Sequence, residues 1–156
     1  MEHNFIIAGF GGQGVLLAGE VLANAFMIDN KNVTWYPSYG AEMRGGTVNC
    51  EIVTSDEDVS EVNKPDADFI VALNQASFDR FLPKIKKGGW IIANSTLVEE
   101  NKPRNDINYV FAPITKLADE VIGNVRMANI LALGIVAKVS KLTTLDTLNK
   151  ALDNVI

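Results

Sequence analysis

Phe5-Ile6-Ile7-Ala8-Gly9-Phe10-Gly11-Gly12-Gln13-Gly14-Val15-Leu16-Leu17-Ala18 is the stretch on which the reading of this chain turns. A short apolar run meets four glycines and passes at once into an alanine-rich apolar segment, so it reads as buried strand, tight turn and helix. Gly9, Gly11 and Gly14 fit the G-x-G-x-x-G spacing of a dinucleotide fingerprint. Missing side chains there permit positive φ, close approach of a phosphate and close packing of helix on strand. The N–H groups at the helix start face the turn and make it a candidate anion site. Glycines that only pack a helix on its sheet give the same spacing, so ligand and packing both stand open at this turn. The dinucleotide reading also requires an acidic residue at the end of the second strand. That strand, Asn32 to Tyr36, runs into Pro37-Ser38, and Asp29 lies before it, which argues against NAD.

Working outward, Gln13 to Met27 has apolar residues at helical spacing, with Val15, Leu16, Ala18, Val21, Leu22, Ala25 and Phe26 on one broad face. Ile28-Asp29-Asn30-Lys31 turns the chain back, giving a strand–helix–strand unit whose right-handed crossover puts both strand ends on one edge of the sheet. Pro37-Ser38-Tyr39-Gly40-Ala41-Glu42-Met43-Arg44-Gly45-Gly46 emerges at that edge as a loop beside Gly11-Gly12. It is too short for a parallel crossover, so Thr47 to Val53 is expected to run antiparallel to its neighbour in a mixed sheet. Within it Cys50 is placed on the buried face as a small core residue, alternating with exposed Asn49 and Glu51.

Further strands are expected at Phe69 to Leu73, Trp90 to Asn94 and Tyr109 to Pro113, their continuous apolar runs suiting burial on both faces. Helices are expected at Gln75 to Phe81 and Thr115 to Ile122, and Lys84-Ile85-Lys86-Lys87 is read as a solvated helix end. Asn124 is a candidate cap for the segment Met127 to Ala137, which is apolar on every side except at Asn129. Such a helix needs cover all round, so one face is assigned to a partner, or to a second copy when the chain is isolated. Ala128, Ala132 and Gly134 would allow a second helix to approach. Asn129 is either a satisfied core amide or an interface contact. Thr143 or Thr144 caps a last helix that runs to Ile156. The fold expected is a single α/β, Rossmann-like three-layer domain over residues 1–156, with a mostly parallel, mixed sheet.

Composition narrows the function. The 156 residues are 47% hydrophobic and 21% charged, enough for a core without disulfide or metal staples. A net charge of −5 offers no basic field for nucleic acid. Cys50 and His3 are the only cysteine and histidine, so the chain cannot hold an iron–sulfur cluster or a His/Cys zinc site, and Ser/His/Asp catalysis is disfavoured. No apolar run reaches the roughly 18 residues of a membrane span, and the expected location is the cytoplasm.

Three segments, Gly9 to Gly14, Pro37 to Gly46 and Ala128 to Gly134, resemble the gamma subunit or domain of 2-oxoacid:ferredoxin oxidoreductases, and the likeness spans nearly the whole chain. It implies coenzyme A-dependent oxidative decarboxylation of a 2-oxoacid, with two electrons passing to ferredoxin. Thiamine diphosphate and iron–sulfur clusters would sit in partners, the thiamine-binding alpha and beta subunits and a ferredoxin-like delta subunit. This chain would be a non-catalytic member that helps to enclose coenzyme A. On that resemblance Gly11, Gly12, Gln13 and Gly14 contact the coenzyme pyrophosphate, Arg44 meets an anion and Tyr39 supplies an aromatic face. Glu42 fixes Arg44 or meets a partner; alternatively Glu42 and Arg44 pair only to order their loop. Family members commonly continue past the helix that stops here at Ile156. The oxoacid expected is 2-oxoglutarate, with pyruvate, branched-chain and indolepyruvate substrates as alternatives. From other classes, a free-standing nucleotide-binding or regulatory module and an interaction scaffold remain open.

Overall fold

The computed structural model of the chain describes residues 1–38, 47–57 and 66–156. Six strands form one sheet in the order β2-β3-β1-β4-β5-β6. They are β1 (Glu2–Phe10), β2 (Asn32–Ser38), β3 (Thr47–Ser55), β4 (Ala67–Ala72), β5 (Ile85–Asn94) and β6 (Asn108–Ala112). β1, β4, β5 and β6 pair in parallel, and β3 runs antiparallel to both β1 and β2. The sheet is therefore mixed, as its short second connection requires. β3 lies between β1 and β2, so those two strands point the same way without touching.

β1 is interior, with β3 and β4 at its sides, and its run Phe5-Ile6-Ile7-Ala8 is buried on both faces. Phe5 carries the packing outward on one face, with ring centroids 5.4 Å from Phe26 and 5.0 Å from Phe69. Helix α1 (Val15–Ile28) covers that face and contacts β1, β2 and β3. Gly19 allows its close seating, since a Cβ there would run into Cys50 Sγ and lie 2.8 Å from Trp35 Nε1. Helix α4 (Ala128–Ser140) contacts β4 and β5, and α5 (Leu145–Val155) packs on α1 and α4. On the opposite face, α2 (Gln75–Phe81) sets Phe78 and Phe81 against Ile6, Ile70 and Ile91.

Capping follows the sequence. The Asn74 side chain accepts the Ser77 N–H at 2.8 Å to start α2, and the Thr144 hydroxyl accepts the Thr147 N–H at 3.1 Å to start α5. The helix expected at Thr115 to Ile122 divides into α3 (Ile114–Leu117) and a π-helical turn over Ala118–Ile122. α4 is buried or half-buried throughout Ala128 to Ala137. Its fully covered side is Ala128, Asn129, Ala132, Leu133, Val136 and Ala137, while Ile130, Leu131 and Ile135 are only partly covered by this chain.

Two expectations need correction. Glu51 is buried, not exposed, because β3 is an interior strand and both its faces are covered. Of the lysines after Phe81 only Lys84 finishes a helical turn, and Lys86 and Lys87 lie in a strand. A 3₁₀ turn over Leu82–Lys84 leads directly into β5, and Lys86 pairs with Asp68 at 2.9 Å across a bulge where Gly88 has φ 83°. Cys50 does sit in the core, where its thiol donates to the Val15 carbonyl at 3.7 Å. Burial pushes that thiol up to about 12, so it stays protonated and unreactive.

Candidate functional site

β1 feeds α1 on one face of the sheet, and the adjacent parallel strand β4 feeds α2 on the other. The carboxyl ends of these two strands therefore form a switch point, where open α/β sheets bind their ligands in the crevice beyond the strands. The turn Phe10 to Gly14 stands on one side of it and Leu73-Asn74 on the other.

The turn is held by its own amides. Gln13 N–H donates to the Phe10 carbonyl at 3.0 Å, and Gln13 Oε1 accepts the Phe10 N–H at 2.6 Å. Gln13 Nε2 then crosses the switch point to the Leu73 carbonyl at 3.3 Å. Gln13 is thus a clasp whose polar atoms are engaged within the chain. Gly9 must lack a side chain because a Cβ would lie 2.6 Å from Gln13 Oε1. Gly14 closes the turn in the left-handed region at φ 72°, and α1 begins after it with no side-chain cap. Its first N–H groups are left for other partners.

A second layer of amides fixes the neighbouring strand ends. Asn94, at the end of β5, donates to the Leu73 carbonyl at 3.1 Å and to Thr115 Oγ1 at 2.8 Å, and accepts the Thr115 N–H at 3.1 Å. One carbonyl, that of Leu73, thereby receives both Gln13 and Asn94. Buried Asn129 donates to the Gly14 carbonyl at 3.1 Å, giving it a partner inside its own chain. These bonds leave a cleft of about 150 Å³ lined by Gly12, Gln13, Leu97, Thr115, Val125 and Arg126. Gly12 is exposed on it, with nothing within 4 Å of where a Cβ would stand.

Sequence reasoning singled out Gly11, Gly12, Gln13, Gly14 and Asn129, and the structure gathers them at this rim. It missed Asn94, Thr115 and Arg126. Asparagine directly ending an apolar strand was the available signal for Asn94; Arg126 had none beyond its place between a capping asparagine and an apolar helix. Tyr39, Glu42 and Arg44 lie outside the described residues. Their flanks are placed, however. Ser38 and Ala8 are both in register with Asn49, and Thr47 with Phe10, so the segment leaves and re-enters the sheet at the edge that carries the glycine turn.

A larger groove of about 420 Å³ opens at the opposite rim, beside the start of β6. Its arginine is already engaged. Arg104 donates to the carbonyls of Leu82 and Ile85 at 2.9 and 2.8 Å, and its guanidinium holds the Asp106 carboxyl below its usual range. Among the described residues no group of three or more His, Cys, Asp and Glu side chains could hold a metal ion, and no helix is long and apolar enough to cross a membrane.

A glycine turn at the switch point of a mixed α/β sheet defines a doubly wound, Rossmann-like domain. Residues 4–156 match the pyruvate ferredoxin/flavodoxin oxidoreductase family, and the chain belongs to it as a gamma-type member. It is 38% identical to the 2-oxoglutarate synthase subunit KorC of Methanocaldococcus jannaschii, over 97% of this chain and 82% of that one. It is 39% identical to the ketoisovalerate oxidoreductase subunit VorA of Methanothermobacter marburgensis, over 83% of this chain but 27% of the relative. The keto/oxoacid ferredoxin oxidoreductase gamma subunit of Geobacter sulfurreducens has the same fold, with a TM-score of 0.88, 31% identity, and coverage of 97% of this chain and 83% of that one.

Proposed function

We propose that this chain is the gamma-type subunit of a cytoplasmic, coenzyme A-dependent 2-oxoacid:ferredoxin oxidoreductase, with 2-oxoglutarate as its oxoacid. In this reading its glycine rim helps to hold coenzyme A, and it docks on thiamine-binding and ferredoxin-like subunits without itself performing chemistry. The observation that carries it is the clasped turn. Gln13 and Asn129 hold the turn so that exposed Gly12 lines the cleft, next to a start of α1 that has no side-chain cap, an arrangement suited to a diphosphate. Tyr39 and Arg44 are proposed to add an aromatic face and a cation, with Glu42 fixing Arg44 or meeting a partner.

Thiamine diphosphate, held by partner subunits, would stabilise the carbanion left by loss of CO2, and iron–sulfur clusters there would pass two electrons to ferredoxin. One cysteine cannot ligate such a cluster, and Cys50 is buried behind α1. What this chain contributes is binding and orientation of the acyl acceptor. The 2-oxoglutarate assignment is supported by the alignment with KorC, which runs over 97% of the chain.

Purification of the native protein with its partners tests the reading. It is expected to copurify with thiamine- and cluster-containing chains, and the complex to reduce ferredoxin fastest with 2-oxoglutarate and coenzyme A. A chain that functions alone, or a complex indifferent to coenzyme A, sinks the proposal. Preference for pyruvate, ketoisovalerate or indolepyruvate removes the substrate assignment only.

A further inference from the structure

We infer that Arg126 meets a phosphate group of the coenzyme from the cleft wall facing the glycine turn, an inference that rests on the coenzyme reading above. Three arginines are described. Arg104 is engaged by Asp106 and two carbonyls, and Arg80 lies over the Phe81 ring at 4.9 Å. Arg126 lines the cleft, and its guanidinium has no hydrogen-bond or ion-pair partner among the described residues. Its backbone is nonetheless fixed. The Asn124 side chain accepts the Arg126 N–H at 3.0 Å, and the Asn124 main chain is tied to Ala118 and Met127 at 3.0 Å each. The guanidinium is exposed at the cleft on a held backbone, so its planar fork is free to take a phosphate bidentately.

The walls suit an anion. Among the described residues that line the cleft there is no carboxylate to repel an anion, and its apolar members Leu97 and Val125 are themselves partly open to water. Gly12 lets a phosphate approach the backbone unobstructed. Size sets the limit. At about 150 Å³ the cleft is well below the roughly 300–1,000 Å³ of sites that enclose a whole small molecule. It is a subsite for phosphate, and the remainder of the coenzyme lies outside it. The phosphate could be the diphosphate bridge or the ribose 3′-phosphate, which the test separates.

Steady-state kinetics of the assembled complex should be compared for wild type, Arg126→Gln and Arg126→Lys with coenzyme A, dephospho-coenzyme A and pantetheine as acceptors. Arg126→Gln should raise KM for coenzyme A about tenfold, the lower end for a charged hydrogen bond. KM for the oxoacid should not move, and Arg126→Lys should recover part of the loss. An equal rise with dephospho-coenzyme A places the contact at the diphosphate; no rise there places it at the 3′-phosphate. An unchanged KM for coenzyme A overturns the inference, as does an equal loss with pantetheine, which has no diphosphate. Hydrogen exchange across Phe10 to Ala18 separates the two levels. Coenzyme protection there with an indifferent Arg126 sinks this inference alone, and no protection sinks the coenzyme reading beneath it.

Discussion

Asn129 donates its side-chain amide to the Gly14 carbonyl at 3.1 Å, joining the start of α4 to the start of α1 across 115 residues of sequence. The contact is close enough that a Cβ on Gly14 would overlap the Asn129 amide, and Gly14 also has φ 72°. Gly14→Ala should therefore be destabilising twice over, by about 1–2 kcal/mol for the left-handed backbone and again for displacing Asn129. Asn129→Ala should cost about 1–2 kcal/mol. The double variant should cost less than the sum, because the overlap is gone. Urea unfolding of all four proteins measures this, and strict additivity would show that the two residues are not coupled.

Gln13 separates scaffold from ligand effects. Gln13→Leu removes the bonds to Phe10 and Leu73 and should lower stability by about 1 kcal/mol. Gln13→Glu keeps the acceptor for Phe10 but sets a carboxylate beside the proposed phosphate site. The two variants should melt within a few degrees of each other, while Gln13→Glu raises KM for coenzyme A more. A larger KM effect from Gln13→Leu would contradict an anion at this rim.

Gly19 sets the distance between α1 and the sheet. Gly19→Ala brings a methyl group against Cys50 Sγ and Trp35 Nε1, and should cost about 1–3 kcal/mol with a shift in Trp35 fluorescence. Adding Cys50→Ala makes room and should restore part of the loss. A neutral Gly19→Ala would mean that the helix seats more loosely than described.

Cys50 gives a pH dependence. Its folded value is raised from an ordinary 9.0 to about 12, so the folded state holds a proton that the unfolded chain releases. The associated stability is complete below about pH 9 and is lost as pH rises toward 12, at about 1.4 kcal/mol per pH unit. Wild type should therefore lose stability faster than Cys50→Ala between pH 9 and 10.5. Parallel curves for the two proteins would refute it.

Much of this was legible in the sequence, for reasons that vary by element. The strand, turn and helix at Phe5 to Ala18 were readable because continuous apolar residues and glycines leave little alternative. The antiparallel sense of β3 followed from a connection too short for a crossover. Its place between β1 and β2 did not, since connection length says nothing of strand order. Glu51 was misjudged because alternation presumes one wet face, and an interior strand under cover has none. Lys86 and Lys87 misled because charge was weighed above Ile85, the buried residue that starts β5. At the site, glycine spacing located the rim, but the part that the Gln13 amide plays in closing the turn was not legible. That role depends on Leu73, which only the parallel pairing of β1 with β4 brings near.

The two margins of the sheet are unequal. On one side β2 contains Pro37, which has no N–H to offer an incoming strand, whereas β6 on the other has no proline from Asn108 to Ala112. Should a neighbouring chain lengthen this sheet, the growth has a permitted direction, and it leads away from the segment that holds Tyr39 and Arg44.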